Sequence, residues 1–322
     1  MKKRLLLLTA ILLLPFITNA QLSGTKQIGG SGADYATLAQ AAAAINAQGI
    51  SGNLVLQISS GTYTQRASFS YSSGNLTIES LSGNPNDVIF SVADETENED
   101  YQLEFINSSQ LTIRNISFNT TDFEYGTGML FRGVCENIEI NNISFAGNRN
   151  DPAISLAFAE TGFFGGSSKN VTISNSYFTT CSYSVQTNQF SDASENIQIR
   201  NSTFFDANAV SLFNVIGLVC ENNLMQGELY QINAIKLQLC TGSVIVNANK
   251  MFKCLRGIEV NSCEGSAANP ILITNNFIEG EKELLYAFGN SNLLLAHNSF
   301  SASGDDILAQ ISGNEPSFKM RN

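Results

Sequence analysis

The chain has 322 residues, 43% of them hydrophobic, and a formal net charge of −11. A chain of this length can bury a large core. Its 28 acidic residues outnumber its 17 basic ones, which argues against nucleic acid as a partner, because binding to phosphates needs clustered Lys and Arg.

The first 20 residues have the layout of a secretory signal peptide. A basic start, Met1-Lys2-Lys3-Arg4, precedes an apolar run from Leu5 to Phe16, and Ala20 marks the expected cleavage site. The apolar run is shorter than the ~20 residues that span a bilayer, and no second long apolar stretch follows. We therefore expect residues 21–322 to form an exported protein without a membrane span, in the periplasm, at the cell surface or outside the cell.

A short helix is predicted next, over about residues 34–48. Asp34 is of a type that caps helices, the segment from Tyr35 to Ala47 is rich in Ala, and Gly49 can end the helix. The helix is apolar on most sides, so we expect it to cover the open end of the structure that follows.

The remainder, about residues 53–313, repeats one short phrase. LTIRNISFN (111–119) returns as IEINNISFA, VTISNSYFT, IQIRNSTFF and ILITNNFIE, and with the weaker copies among them the steps are 21 to 33 residues. Such a period predicts a solenoid in which each unit packs against its neighbours. The units lack the 3.6-residue periodicity of helical repeats, and a constant strand phrase with variable spacing is typical of a coiled parallel β-sheet.

Each phrase has the form apolar-x-apolar-x-Asn-x-x-apolar, and strand alternation places its apolar residues on one inward face. We expect the Asn to point inward as well and to hydrogen-bond the same amide one coil away, ~4.8 Å off. The predicted amide ladder comprises Asn115, Asn142, Asn175, Asn201, Asn222 and Asn275, with Ala248 and His297 as substitutes. His297 is then interpreted as a buried structural imidazole rather than a catalytic base.

A second predicted strand, called the leading strand here, precedes each phrase. Its copies are QLEF (102–105), GMLF (128–131), AISL (153–156), SVQT (184–187), AVSL (209–212), AIKL (234–237), GIEV (257–260) and DILA (306–309). Each coil thus consists of a leading strand, a turn, the strand that ends at Asn, a bend and a short closing strand.

With these features the chain resembles the right-handed parallel β-helix proteins of the pectin lyase-like superfamily, over nearly all of residues 21–322. The opening IGGSGADYATLAQAAAAINAQGISGNLVLQISSGTYTQ is similar to the start of pectin methylesterases and of many secreted β-helix proteins from Bacteroidetes. The resemblance implies an all-β fold, a right-handed single-stranded parallel β-helix with a short N-terminal α-helical cap. The superfamily contains polysaccharide lyases, hydrolases, methylesterases and non-catalytic binding or adhesive proteins, and the fold alone selects none of them.

The catalytic motifs of those enzymes are missing from the sequence. It contains no Trp-Ile-Asp-His or Arg-x-Pro-x-x-Arg pattern of pectate lyases, no Asp-Phe-Ile-Phe-Gly segment of pectin methylesterases and no Gly-His-Gly of polygalacturonases. Gly304-Asp305-Asp306 matches one polygalacturonase element, and paired carboxylates suit glycoside hydrolysis. Because its partner elements are absent, we interpret this segment as a turn.

The resemblance places substrate on the outer face of the leading strands. The central outward column is predicted to be Glu104, Leu130, Ser155, Gln186, Ser211, Lys236 and Glu259. We select as candidate binding residues Glu104, Gln186, Asn188, Phe213, Gln238 and Asn261. If the protein is an enzyme, the candidate catalytic residues are Lys236, Glu259 and Arg132, although structural ion pairing is the simpler interpretation of the Lys236 and Glu259 pair.

Two further groups of residues carry weaker hypotheses. The acidic run of Asp94, Glu95, Glu97, Glu99 and Asp100 offers oxygen ligands for Ca²⁺, but it lacks the glycines and ligand order of a dedicated calcium loop, so we expect a solvated loop and no cofactor. Six cysteines are spread through the chain without a CxxC pattern, which makes a zinc site improbable. Cys240 and Cys263 lie one repeat apart and could pair.

We therefore hypothesise an exported protein, non-catalytic or degenerate relative to the superfamily enzymes, that contacts polysaccharide or another cell-surface glycan along its leading strands. The alternatives are an active polysaccharide lyase or glycoside hydrolase and, from a different class, a structural or adhesive stalk. No clear cap follows the last predicted leading strand, Ile307 to Ile311, so we also expect a further domain or a partner over the final coil.

Overall fold

The computed structural model describes residues 20–92, 101–120, 127–147, 153–158, 166–187, 192–228, 232–302, 308–313 and 319–321. These residues form a parallel β-helix of about ten coils, with an α-helix, α1 (Leu38–Gln48), near the start. The predicted fold class is confirmed. The predicted signal peptide lies outside the described residues, and within them no helix is long and apolar enough to cross a membrane.

The strands, numbered in chain order, form three parallel stacks: sheet A, and the leading and closing strands, which one long strand joins into a second sheet. Sheet A contains β1 (Leu22–Ile28), β2 (Ile50–Ile58), β5 (Asn75–Ser80), β8 (Ser109–Arg114), β11 (Val134–Asn141), β14 (Ser167–Ser174), β17 (Ser194–Arg200), β20 (Val215–Glu221), β23 (Thr241–Asn247), β25 (Ile271–Thr274), β28 (Leu293–Ala296) and β31 (Lys319–Arg321). The leading strands are β4 (Ala67–Phe69), β7 (Leu103–Ile106), β10 (Met129–Arg132), β13 (Ile154–Phe158), β16 (Val185–Thr187), β19 (Val210–Phe213), β22 (Ile232–Gln238), β27 (Leu285–Phe288) and β30 (Ala309–Ser312). The closing strands are β3 (Gly61–Tyr63), β6 (Val88–Phe90), β9 (Ser117–Asn119), β12 (Ser144–Ala146), β15 (Tyr177–Thr179), β18 (Thr203–Phe205), β21 (Leu224–Gln226), β26 (Phe277–Gly280) and β29 (Ser299–Ala302). The long strand β24 (Lys250–Asn261) runs through the closing and leading positions of one coil, and a short 3₁₀ helix, Pro85–Asp87, precedes β6.

The core runs along the axis of the coil and consists of stacked, identical positions. In sheet A, Leu111, Ile138 and Val171 pair in register and are at most 2% exposed. Phenylalanine rings stack in the same way from coil to coil, with Phe178 and Phe204 at a centroid distance of 5.1 Å. Because burying such a ring contributes ~1.5–3 kcal/mol, the repeated apolar positions account for the sequence pattern and for the stacking of the coils.

The N-terminal helix is shorter than predicted and has a different cap. It begins after Thr37, whose hydroxyl accepts a hydrogen bond from the Gln40 amide, and it ends at Gly49, as predicted, with φ of 74°. Asp34 instead accepts hydrogen bonds from the Gln27 amide and the Lys26 ammonium, so the prediction that it caps the helix is wrong. These bonds hold the pKa of the Asp34 carboxyl below its usual value, the one from the Gln27 amide most of all.

Helix α1 packs against the first leading strand, as expected of a cap. Its buried side chains are Leu38, Ala41, Ala42 and Ile45, and the Asn46 amide bonds the backbone of Ser68 and Ser70 on either side of Phe69 in β4. The strand β1, which the sequence pattern does not reveal, precedes the helix and pairs with β2 at the edge of sheet A.

The predicted asparagine ladder holds for one pair, since the Asn142 amide donates a 2.8 Å hydrogen bond to the Asn115 amide oxygen one coil away, but its other members are wrongly assigned. Asn175, Asn201, Asn222, Asn275 and His297 are exposed, and Asn115 and Asn142 are half-buried. All of these, together with Ala248, have φ between 50° and 58°. Their shared requirement is therefore the left-handed backbone of the bend, which short polar residues tolerate better than other side chains do. His297 is accordingly not a buried structural imidazole.

The buried ladder lies one residue further along the chain. A left-handed residue interrupts strand alternation, so that Ile140 and Ile143 both point inward with Asn142 between them. The position after each bend is occupied in turn by Ile116, Ile143, Ser176, Ser202, Asn223, Asn249, Asn276 and Asn298, called the inner bend column here. In this column the amide oxygens of Asn249 and Asn276 each accept hydrogen bonds of 3.0 Å from the backbone amide and the side chain of the preceding member.

The predicted leading strands are found within a few residues of their expected positions, but two leading strands were not predicted, β4 at the start of the series and β27 near its end. The segment Leu285–Phe288 forms leading strand β27 between the two strands predicted last. Beyond the last predicted leading strand, β31 pairs with β28 at the end of sheet A.

Candidate functional site

The outward residues of the leading strands form one continuous face, called the leading-strand face. Backbone pairing places the predicted central column in register from Glu104 through Leu130, Ser155, Gln186, Ser211 and Lys236 to Glu259. The column continues at both ends, to Ser68 and to Tyr286. Successive side chains therefore stand ~4.8 Å apart along the coil axis.

The N-terminal half of this face is closed to solvent. Glu104 and Arg132 are 6% and 7% exposed, and Arg132 Nε lies 2.7 Å from Glu104 Oε1. Ser68 donates a 2.6 Å hydrogen bond to the second carboxylate oxygen of Glu104. Burial, and the charge of Glu104 beside it, raise the pKa of the Tyr101 phenol. Glu104 and Arg132 thus form a buried ion pair rather than part of an open groove.

The C-terminal half of the face holds a groove of about 230 Å³. Four of the residues selected from the sequence line it together, namely Gln186, Phe213, Lys236 and Gln238. The rest of the lining consists of Tyr183, Thr187, Ser211 and Leu212. The groove therefore offers aromatic rings, side-chain amides, hydroxyls and one ammonium group within three consecutive coils.

A charge network borders the groove on its C-terminal side. Glu259 lies 4.0 Å from the Lys236 ammonium and 3.7 Å from Arg256, and Arg256 also contacts Glu283 at 3.1 Å. Asn261 donates a 2.7 Å hydrogen bond to Glu259 Oε1. Two cations thus face two carboxylates, and both oxygens of Glu259 are engaged.

The face continues beyond the groove through aromatic residues that sequence reasoning missed. Tyr286 pairs with Glu259, and Phe288, 48% exposed, pairs with Asn261. Phe288 is three coils from Phe213 in the pairing register, which is about 14 Å at ~4.8 Å per coil. The sequence does contain a pattern that could have revealed both residues, because the apolar alternation Leu285-x-Ala287 is typical of a leading strand.

A second, more open depression lies on the outer side of sheet A. It has a volume of about 600 Å³ and is lined by amides and hydroxyls, including Asn75, Thr77, Asn137, Asn170 and Thr172. The amides bond one another from coil to coil, as from Asn170 to Asn137 at 2.9 Å. Although it is larger, we favour the leading-strand groove as the site, because the depression has no aromatic residue in its lining.

Several predicted residues cannot be placed in this site. Asn188, the acidic run Asp94, Glu95, Glu97, Glu99 and Asp100, and Gly304-Asp305-Asp306 lie outside the described residues. Within the described ranges, no three His, Cys, Asp or Glu side chains are grouped so as to hold a metal ion.

No protein-family model matches this chain, and no curated protein matches it. Among solved structures, it is similar to PfbA, a surface adhesin of Streptococcus pneumoniae, at 15% identity over 88% of this chain and 89% of that chain, with a TM-score of 0.49. It is also similar to the pectin methylesterase of Aspergillus niger at 14% identity, over 93% and 91%, with a TM-score of 0.38. A third similar structure is an iota-carrageenase in complex with iota-carrageenan fragments, at 15% identity over 85% and 57%, with a TM-score of 0.42. At these values the likenesses carry no argument about activity or ligand.

Proposed function

We propose that this protein is an exported binding protein that holds an extended, neutral polysaccharide along its leading-strand face and does not cleave it. The observation that carries the proposal is the groove formed by Gln186, Phe213, Lys236 and Gln238, with Tyr183 and Ser211 beside them. The charged and aromatic residues that follow on the same face, up to Phe288, extend this surface along the coil axis.

The lining suits a sugar because a pyranose ring has an apolar face and a rim of hydroxyls. The Phe213 ring supplies a flat apolar surface with little side-chain freedom to lose. The amides of Gln186 and Gln238 each carry donors and an acceptor, so they suit hydroxyl groups that both donate and accept. Repetition at ~4.8 Å per coil favours a polymer over a single small molecule.

The charge balance favours a neutral polymer over an acidic one. The whole chain carries a net charge of −11, which repels polyanions at long range. At the groove itself, Lys236 and Arg256 are offset by Glu259 and Glu283. No excess of positive charge therefore remains in this network for carboxylate or sulfate groups.

The absence of cleavage is proposed because the candidate catalytic groups are already engaged. Arg132 is paired with Glu104 in a buried site. Glu259 accepts from Asn261 and contacts two cations. A carboxylate in this state is held by its neighbours rather than presented to a substrate proton.

The test is a polysaccharide array followed by calorimetric titration of the soluble glycan that binds best. Phe213→Ala should weaken binding about tenfold or more, ~1.4 kcal/mol. Phe205→Ala is the matched control, since Phe205 is also half-buried but lies on β18, the closing strand that comes directly before β19 in the chain. Asn170→Ala tests the depression on sheet A. A loss of affinity in Asn170→Ala with none in Phe213→Ala would overturn the proposal, as would binding confined to acidic polysaccharides.

Cleavage is tested separately by incubating the wild-type protein with the bound glycan, with and without Ca²⁺. We expect neither new reducing ends nor unsaturated products. Unsaturated products would identify a lyase, and new saturated reducing ends a hydrolase. Binding to no glycan at all would favour the structural stalk.

A further inference from the structure

Two cysteines on consecutive coils are stacked on each other in the core. Cys240 and Cys263 each follow a leading strand, and these strands are paired in register from Ile235 opposite Ile258 to Gln238 opposite Asn261. The pairing continues past the cysteines, because the Glu264 amide donates a 2.9 Å hydrogen bond to the Cys240 carbonyl. The two residues therefore occupy the same position in neighbouring coils.

The Cys263 sulfur lies against Cys240 within the protein interior. Both residues are 0% exposed, and the Cys240 backbone amide donates to Cys263 Sγ at 3.3 Å. A hydrogen bond from the Cys263 thiol lowers the pKa of the Cys240 thiol. The Cys240 thiol, which is the more easily ionised of the two, thus already contacts the Cys263 sulfur.

The backbone spacing at this position suits a covalent bond between the two sulfurs. Paired residues of adjacent parallel strands are ~4.8 Å apart, which falls within the Cα separation of ~4.4–6.8 Å found in disulfides. The same column contains Cys135, but its paired neighbour is Ser168 and not a thiol. Cys220 pairs with Ile199 and Val246 in sheet A.

We propose that Cys240 and Cys263 form a disulfide that links two consecutive coils when the protein folds in the presence of a low-molecular-weight disulfide such as oxidised glutathione. The Cys240 thiolate attacks one sulfur of that oxidant, which forms a mixed disulfide and releases one glutathione thiolate. The Cys263 thiolate then attacks the Cys240 sulfur, forms the Sγ–Sγ bond and displaces the second glutathione thiolate. The two protons lost by the cysteines end on the two glutathione thiols, so two protein thiols are oxidised and one disulfide is reduced.

This link would join the coils that carry two residues of the leading-strand face. Gln238 and Asn261 lie two residues before Cys240 and Cys263 and point outward where the cysteines point inward. The disulfide would hold their separation constant. The inference rests on the stacking of the two thiols alone and does not depend on whether the face binds a glycan.

The test refolds the full chain in a buffer of reduced and oxidised glutathione, stops exchange with acid, and alkylates the denatured protein without reduction. Intact mass should show four of the six cysteines alkylated, and peptide mapping should find Cys240 joined to Cys263. Alkylation of all six cysteines, or a disulfide between any other pair, would overturn the proposal.

Two variants separate a specific bond from general oxidation. Cys240→Ser should leave all of its remaining cysteines alkylated, because Cys263 then lacks its partner. It should still fold, since Ser168 and Ser194 occupy the same column in other coils. Cys220→Ser is the matched control for a buried cysteine and should retain the Cys240–Cys263 bond. Loss of the bond in Cys220→Ser with folding intact, shown by circular dichroism, would also contradict the assignment.

Discussion

At each bend between sheet A and a closing strand, two adjacent residues meet opposite requirements. Asn222 is exposed and has φ of 57°, whereas Asn223 is 2% exposed and hydrogen-bonds its counterpart on the next coil. A short amide side chain satisfies either requirement, because it tolerates the left-handed region and carries both donors and an acceptor. Asparagine is therefore frequent at both positions for different physical reasons.

The inner bend column should be more sensitive to substitution than the exposed bend residue. In Asn249→Ala, the amide and side chain of Asn223 lose their acceptor, and the Cys220 carbonyl and Asn276 Oδ1 lose a donor. Each buried polar group left unpaired costs ~1–3 kcal/mol, so we expect a loss of about 3 kcal/mol or more in urea unfolding. Asn222→Ala is the control and should cost only about 1 kcal/mol for the left-handed backbone. Equal losses in the two variants would contradict the assignment of the column.

At one bend we predict that a substitution raises the stability instead of lowering it. Ala248 has φ of 54° where the other bends mostly carry Asn, so its methyl side chain is in an unfavourable backbone region. Ala248→Asn should stabilise the protein by roughly 1 kcal/mol, measured as a higher urea midpoint. The reverse replacement, Asn201→Ala at an exposed bend with φ of 52°, should lower the midpoint by a similar amount. A lower midpoint for Ala248→Asn would show that the bend does not select residues by backbone conformation.

At the scale of single elements, α1 is the one whose sequence and structure are most closely linked. It lies against β4 at the N-terminal end of the leading strands, where a further coil would otherwise stack. Its apolar side chains Leu38, Ala41 and Ile45 are buried there. The helix thus covers apolar surface that would be exposed at the end of a solenoid.

The cap of α1 can be tested by comparing the observed and the predicted capping residue. Thr37→Ala removes the acceptor of the Gln40 amide and should lower the free energy of unfolding by about 1 kcal/mol. Thr64→Ala, at an exposed threonine outside the helix, is the control and should change it little. If Asp34→Ala shortened the helix, as seen by amide exchange of its first turn, and Thr37→Ala did not, the cap assignment would be wrong.

Whether an element can be predicted from the sequence depends on the period of its apolar pattern. Most sheet A and leading strands are recognisable because apolar alternation has a period of two, as in Leu111-x-Ile113. The inner bend column is not recognisable by the same rule, because a left-handed residue such as Asn142 shifts the alternation by one. Another pattern in the sequence could have revealed the column. An asparagine recurs at the position after the bend, as Asn223, Asn249, Asn276 and Asn298.

At the scale of the whole molecule, stacking of the coils converts single residues into a continuous surface. Gln186, Phe213 and Lys236 are far apart in sequence but line one groove because their strands are in register. Register made this grouping predictable. The burial of Glu104 and Arg132 was not predictable, because it depends on what packs over the outward face.

The length of the face predicts how affinity depends on ligand length. Phe213 and Phe288 are about 14 Å apart along the axis, so calorimetric affinity for oligosaccharides should rise until the ligand reaches both rings and then level off. Phe288→Ala should remove the gain shown by the longer ligands and leave the affinity for the shortest one unchanged. Affinity that does not change with length would restrict binding to a single sugar unit.

The most direct measurement is a crystal structure of the protein with a bound neutral oligosaccharide. We predict one sugar ring over Phe213, its hydroxyls hydrogen-bonded to Gln186 and Gln238, and the chain of sugars running parallel to the coil axis toward Phe288. An oligosaccharide bound in the depression on sheet A, or crossing the leading strands along their length, would contradict the account.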